Sequence, residues 1–568
     1  MMQTFRITGR LKARGLTADS GAPFHIGDPD QFREYIDRPL WLDEDDLPVL
    51  TGSSICGVMA SLARTVLRLK GCPKGSEEND PSFIALFGSS RGSDQGQASR
   101  LAVRDGQTSG NAGGHILVRD RNGVNRERGS ADDKRLFHEQ VVDGEWSFDL
   151  DLEYQETGPR TENERRLLTA NDDPDLMGRL LLWDVLKMLC SGWTTIGGQA
   201  GIGYGRVILE DCRFAIYDRS SPQAVFDYAL NRWDSFSQNG FPAVIPDVDL
   251  PSGTTDGSLQ LERIRFCCRL QPLEPLLVKA GYTNETYNYT GAQRGNNLNL
   301  APWRADNQGP FSVDTGFCLN SADKPYIPGS SLRGSLRSYV ERIIRTLAGD
   351  DRAWNLEQAQ AHGQEFSRRH EYIENDVNCL VSRVFGFSGL GGRITFSDAV
   401  PVNVQIFENR RKLLDHVALD RFTGGAADQA KFNSRPYFPL GPALPDELDG
   451  NGDLVCEIEL FDFDDWHLGL VLMMLRDMRL GRIYLGHGKN KGFGKVRLEG
   501  ATIAALTVGF NPTELKKLSI PAGFRGNGLL ETPAAPGLTA RFDSAVVAWR
   551  GQLASVCLTP GITPGGAS

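Results

Sequence analysis

Two short turns hold the residues best suited to binding an anion. Gly329-Ser330-Ser331-Leu332-Arg333-Gly334 stands where an extended segment gives way to a helix, and Gly52-Ser53-Ser54-Ile55-Cys56-Gly57 repeats its pattern 277 positions earlier. A glycine-serine turn at a helix start presents unpaired N–H groups at the positive end of the helix dipole, a natural seat for a phosphate. Arg333 and Arg337, one helical turn apart, add charge beside the second turn. The plainer role of such a turn is a cap, with Ser330 or Ser331 taking the first exposed amides. A second set of candidates lies in two late loops, Ile196 to Val207 and Leu485 to Val496. Gly203 and Gly205 precede Arg206 in the first; Gly492 and Gly494 precede Lys495 in the second, after Lys489 and Lys491. Glycine lets a backbone approach a polyanion closely, and the cations neutralise phosphates.

The elements that must carry these residues recur as well. Leu332, Leu336, Tyr339, Val340, Ile343, Ile344 and Leu347 fall at helical spacing, as do Ile55, Met59, Leu62, Val66 and Leu69. Asp37 and Asp314 each lie 15 positions before their turn. The strand Arg100–Asp105 is answered by Arg393–Asp398, and Leu86-Phe87-Gly88 by Val384-Phe385-Gly386. Within a charged excursion, Arg126, Gly129, Ala131, Asp133 and Phe137 match Arg421, Gly424, Ala426, Asp428 and Phe432 in every spacing. Blocks recurring in one order define a duplicated domain. Each copy reads strand, helix, strand, excursion, strand, helix, glycine loop, strand, which predicts a ferredoxin-like (RRM-like) α+β sheet with helices on one face. The expected boundaries are 1–217 and 259–500 for the two domains, 218–258 for a linker with one short helix near Val225 to Trp233, and 501–568 for a C-terminal extension with a frayed end.

Composition narrows the class. A chain of 568 residues, 40% hydrophobic and 24% charged, builds several ordinary globular cores. No apolar run approaches the ~20 residues of a membrane span, and the N-terminus lacks the apolar core of a signal peptide, so a cytoplasmic, membrane-free protein is expected. Ten cysteines without CxxC spacing and eight histidines without HExxH spacing exclude zinc-ribbon, disulfide-scaffold and zincin readings. The net charge of −10 opposes a promiscuous nucleic-acid binder, although acidic clusters such as Asp43 to Asp46 leave arginines free to gather elsewhere.

The GSSLRG turn, the Arg-x-x-Gly-x-Ala-x-Asp-x3-Phe excursion and the late Gly-(Tyr/Phe)-Gly-(Arg/Lys)-Val loop resemble the RAMP superfamily, over roughly residues 1–215 and 259–500. More narrowly, they resemble the RNA-cleaving backbone subunits of type III CRISPR interference complexes, here fused in tandem. The resemblance implies CRISPR guide RNA, complementary target RNA and other effector-complex subunits as partners. It implies that Ser53, Ser54, Gly57, Ser330, Ser331 and the glycine loops grip the guide. The excursions, bearing Arg126 and Arg421, would be β-hairpin thumbs that wedge between guide and target. An aspartate on the loop before the turn would support metal-dependent cleavage beside a flipped base, and Asp37 and Asp314 match it, as catalytic and Mg²⁺ (or Mn²⁺) ligands. A carboxylate there can hold the metal or take a proton from the 2′-hydroxyl; its bland role is to cap backbone amides.

Some positions depart from the pattern. Cys56 stands for Arg333, Leu277 for His25 and His416 for Arg121, and about 25 additional residues lie between Pro275 and Asp314. Three alternatives follow: a non-catalytic guide-binding backbone module, a metal-independent guide-processing RAMP nuclease using His25 or His416, and a scaffold without RNA.

Overall fold

The computed structural model describes residues 3–16, 23–27, 36–89, 97–108, 115–125, 130–157, 173–218, 222, 261–279, 286–287, 311–348, 380–386, 391–439, 452–507, 518–520 and 536–557. Strand β1 (Gln3–Ala13) turns Phe5, Ile7 and Leu11 into a core. Helix α1 (Gly52–Leu69) covers it with Ile55, Met59, Leu62, Val66 and Leu69, the residues at helical spacing, all buried. There follow α2 (Pro81–Phe87), β2 (Leu101–Val103), the hairpin β3 (His115–Asn125) and β4 (Ser130–Asp143), then β5 (Ser147–Gln155), α3 (Pro174–Cys190), β6 (Thr194–Thr195) and β7 (Arg206–Asp218). The sheet order is β2-β5-β1-β7-β6, antiparallel throughout.

The second copy repeats the plan. It runs β8 (Leu261–Pro272), a small ribbon of β9 (Thr286–Tyr287) and β10 (Phe311–Ser312), α4 (Gly329–Ala348), α5 (Leu380–Phe385), β11 (Ile394–Phe396), β12 (Val400–Pro401) and α6 (Val404–Asn409). The hairpin β13 (Leu414–Leu419) and β14 (Ala426–Ser434), β15 (Leu454–Phe461), α7 (Asp465–Arg479), β16 (Ile483–Tyr484) and β17 (Lys495–Thr507) complete it. Its order, β11-β15-β8-β17-β16, matches the first sheet strand for strand, with β12 added beside β15 and β18 (Leu518–Ile520) beside β17. The expected linker helix lies outside the described residues.

The extension contributes an ordered helix, and the end expected to be frayed, residues 558–568, lies outside the described residues. Helix α8 (Pro536–Cys557) packs on α7, because Gly469 offers a gap in which an added Cβ would lie 2.2 Å from the Ala545 carbonyl oxygen. Arg541 pairs with Asp465, and Phe542, Ala545 and Trp549 join the second core. The two copies keep separate hydrophobic cores.

What joins them is polar and buried. Glu457 of β15 receives Arg14 at 3.0 Å, Arg206 and Arg265. Arg265 also bonds Glu459 at 2.9 Å and the Gly192 carbonyl at 3.1 Å, with its guanidinium 4.0 Å over the Trp193 ring. Burial alone would raise the Glu457 carboxyl, but Arg206, Arg265 and Arg14 bring it down to about 2. A folded value depressed below the ordinary ~4.3 gives stability that is present above the unfolded value and lost as pH falls through the folded one. Glu457→Ala should cost about 3–5 kcal/mol near neutral pH, by leaving buried guanidiniums unpaired. It should also flatten the loss of melting temperature between about pH 5 and pH 2. A wild-type acid melting profile in the variant would contradict the assignment.

Candidate nucleic-acid interface

Each repeat places its aspartate against the base of its hairpin in the same way. Asp37 accepts the His138 N–H at 2.7 Å while its own N–H donates to the His138 carbonyl at 3.0 Å. Asp314 accepts the Asn433 N–H at 2.7 Å, and its N–H donates to the Asn433 side-chain oxygen at 2.8 Å. His138 and Asn433 each follow the matched phenylalanine, Phe137 or Phe432. Both aspartates are exposed. Each therefore caps one amide with one oxygen and turns the rest of its carboxylate toward solvent. A cation stands over each phenyl ring: the Arg38 guanidinium 4.7 Å from Phe137, the Lys491 ammonium 5.4 Å from Phe432.

Among the described residues, no group of three or more histidines, cysteines or acids converges as a metal cage. A lone exposed carboxylate suits Mg²⁺, which keeps several waters and is bound by one or two carboxylates together with substrate phosphates.

The GSS turns are built differently from the expectation. Thr51 is the N-cap of α1, its hydroxyl accepting from the Ser54 N–H, and the Pro328 carbonyl takes the Ser331 N–H of α4 at 2.8 Å. The glycines start the helices because a carboxylate holds each one: Gly52 N–H donates to Asp105 at 2.6 Å and Gly329 N–H to Asp398 at 2.7 Å. Those aspartates close the matched strand blocks, the one signal in the sequence that could have marked them. With that amide taken, the surface open to an anion is the flank bearing exposed Ser53 and half-buried Ser54, Ser330 and Ser331, where Gly57 and Gly334 have nothing within 4 Å of an added Cβ.

The two glycine loops, alike in sequence, part company here. The first is buried in the junction: a Cβ on Gly203 (φ +87°) would lie 2.5 Å from the Ser397 Cα, and one on Gly329 2.4 Å from the Ile202 oxygen. Arg206 is 4% exposed and committed to Glu457, so the expected phosphate contact there is overturned by the demand of a buried carboxylate. Gly205 and Gly494 are needed by their own loops, facing the Ile196 and Leu485 carbonyls. The second loop is open: Lys489, Lys491 and Gly492 are exposed, Lys495 is half-buried, and Gly492 (φ +79°) has nothing near an added Cβ.

The excursions are two-stranded antiparallel hairpins. Arg126 lies outside the described residues; Arg421 is exposed on the turn of the second hairpin, beside a fully exposed Phe422. The first hairpin reaches the second repeat through Arg119, which meets Asp143 at 3.1 Å and Asp398 at 3.7 Å between the rings of Tyr204 and Tyr326. Burial pushes the Asp398 carboxyl up, against the pull of Arg119 and the Gly329 N–H. The histidine candidates fare unequally. His25 is buried and bonded to the Gln140 carbonyl at 2.8 Å, unsuited to proton transfer at a surface. His416 stacks on Phe432 and contacts the Ser434 hydroxyl at 2.7 Å; burial and Lys491 lower its imidazole. His487, exposed on the second loop and passed over in the sequence, shares this neighbourhood with Lys491, Lys279 and His416.

A cavity of about 840 Å³ opens between the repeats, with Arg38, Arg263, Arg333 and Arg337 on its walls and Glu459 as the carboxylate among the lining residues. The sequence model of the RAMP superfamily matches residues 21–208 and 269–497, more than half of the chain. The chain belongs to the RAMP superfamily. Each of the two matched regions lies within one of the two repeats, and membership points to an RNA-binding module of CRISPR systems. No curated protein matches the chain. Among the described residues of this RAMP protein, no helix is long and apolar enough to cross a membrane.

The contrast between the loops is measurable. Gly492→Ala should carry only the left-handed penalty of about 1–2 kcal/mol, whereas Gly203→Ala should cost about 1–3 kcal/mol more through overlap with the second repeat. Equal losses in chemical denaturation would place the first loop outside the junction.

Proposed function

We propose that this chain is a backbone subunit of a type III CRISPR ribonucleoprotein that holds guide RNA and cleaves complementary target RNA at two points, beside Asp37 and Asp314. The observation that carries the reading is the equivalence of the two aspartates: exposed, oriented by an amide at the hairpin base, next to a phenyl ring with a cation over it. The hairpins act as thumbs, and the strand order β2-β5-β1-β7 with helices after its first and third strands in sequence supports a ferredoxin-like frame for each palm. Within the site, the amide bond fixes one carboxylate oxygen so that the other faces the scissile phosphate. Arg38 and Lys491, held over the phenyl rings, steady the strand by charge. Mg²⁺, when bound by Asp37 or Asp314 and the RNA phosphates, would supply charge stabilisation for the developing phosphorane oxygens. Cytoplasmic residence and other effector subunits as partners belong to the same reading.

A backbone module without catalysis has one observation in its favour, the amide-capping role of both aspartates. The two readings diverge in a cleavage assay. Asp37→Ala should remove one product and Asp314→Ala another, each by about 10²-fold or more, and the double variant should bind target without cutting it. Cutting by the double variant at the wild-type rate, or undiminished cutting in EDTA, would exclude the nuclease reading.

A further inference from the structure

The cavity between the repeats makes the two sites unequal. Its first wall belongs to the first repeat: Arg38, the neighbour of Asp37, with Ser61 of α1 and Thr195 of β6. The facing wall belongs to the second: Arg333 and Arg337 of α4 and Arg263 of β8. Among the lining residues four guanidiniums stand with one carboxylate, Glu459, which Arg265 engages at 2.9 Å and Arg263 at 3.4 Å. Arg38 and Arg337 also meet Glu139 at 3.4 Å and Glu341 at 3.2 Å from outside the lining. A polyanion is the ligand class that such a wall accepts. The two α4 arginines are held in place: Arg333 donates to the Phe385 carbonyl and Arg337 to the Gly386 carbonyl at 3.0 Å. The Arg333 guanidinium carbon lies 3.6 Å from the position of a Cβ on Gly201, in the glycine loop of the first repeat. These arginines therefore face the Asp37 side, although they sit in sequence beside the Asp314 turn.

We propose that the Asp37 site is a composite of both repeats, in which Arg333 and Arg337 hold phosphates of the RNA strand cut beside Asp37. The inference rests on the nuclease reading above. The Asp314 site has no such second wall within the described chain: the loop that corresponds to the buried one, Lys489 to Gly492, is exposed, and Gly492 has nothing where Gly203 meets Ser397.

The test uses the full-length chain loaded with guide, a complementary end-labelled RNA and Mg²⁺, with each product assigned by the single aspartate variants. Arg333→Ser with Arg337→Ser should lower the Asp37-dependent product about ten-fold or more, as loss of charged phosphate contacts does. It should leave the Asp314-dependent product nearly unchanged, and the paired lysine substitutions should restore most of the loss. Loss confined to the Asp314-dependent product, or equal loss of both, would overturn the proposal. Should the serine pair unfold, as read by melting, photocrosslinking of wild type from a 4-thiouridine placed at the Asp37 cut reads the same contact. A crosslink within 329–348 supports a composite site, and one confined to residues 1–217 overturns it. Absence of both products in wild type would remove the nuclease reading, while the crosslink still decides whether RNA spans the two repeats.

Discussion

The architecture depends on one buried carboxylate. Glu457 lies where two hydrophobic cores end and neither continues, and taking a charge out of water costs several kcal/mol unless it is paired. Arg14 and Arg206 from the first repeat and Arg265 from the second meet that demand together. A bond set of this kind is directional, so it sets the angle and register between the repeats, which apolar contact alone would leave loose. Around it, Gly203 and Gly329 allow the two backbones to come together, and Arg119 ties the first hairpin to Asp398, the residue that holds the second GSS turn. The distance between the two aspartate sites is thereby a property of the fold.

This arrangement uses up much of what the sequence offers as RNA-binding charge. Arg206 belongs to the junction, and Arg333 and Arg337 stand in the cleft between repeats, while Lys489, Lys491 and the flanks of the GSS turns stay open. A net charge of −10 is compatible with a polyanion partner because charge is distributed unevenly: the cavity lining carries four guanidiniums and one carboxylate, with Glu139 and Glu341 pairing Arg38 and Arg337 from outside the lining.

The duplication was legible in the sequence because it rests on local pattern: helical spacing, turn residues and matched intervals survive in each copy whatever surrounds them. Strand and helix positions, the hairpins and the paired placement of Asp37 and Asp314 follow from that pattern. What stayed hidden is set by contacts between residues distant in the chain. Gly203 and Gly492 occupy the same motif with the same left-handed backbone, yet one is packed on the other repeat and one faces solvent. Arg206 reads as a phosphate ligand until Glu457, 251 positions away, is placed beside it. Asp105 and Asp398 recurred in the blocks, but their grip on the GSS glycines appears only when strand and helix meet. Helix α8 escaped notice because its Gly/Pro-rich flanks dominate the composition around it.

The central claim is that one RNA guide lies across both repeats of this chain in its native complex. Purifying that complex through a tag on this chain, then extracting and sequencing its RNA, tests it most directly. The account predicts a discrete RNA species sharing one constant segment joined to variable sequence, protected over a length that spans both repeats. Absence of nucleic acid, or a random sample of cellular RNA, would contradict it.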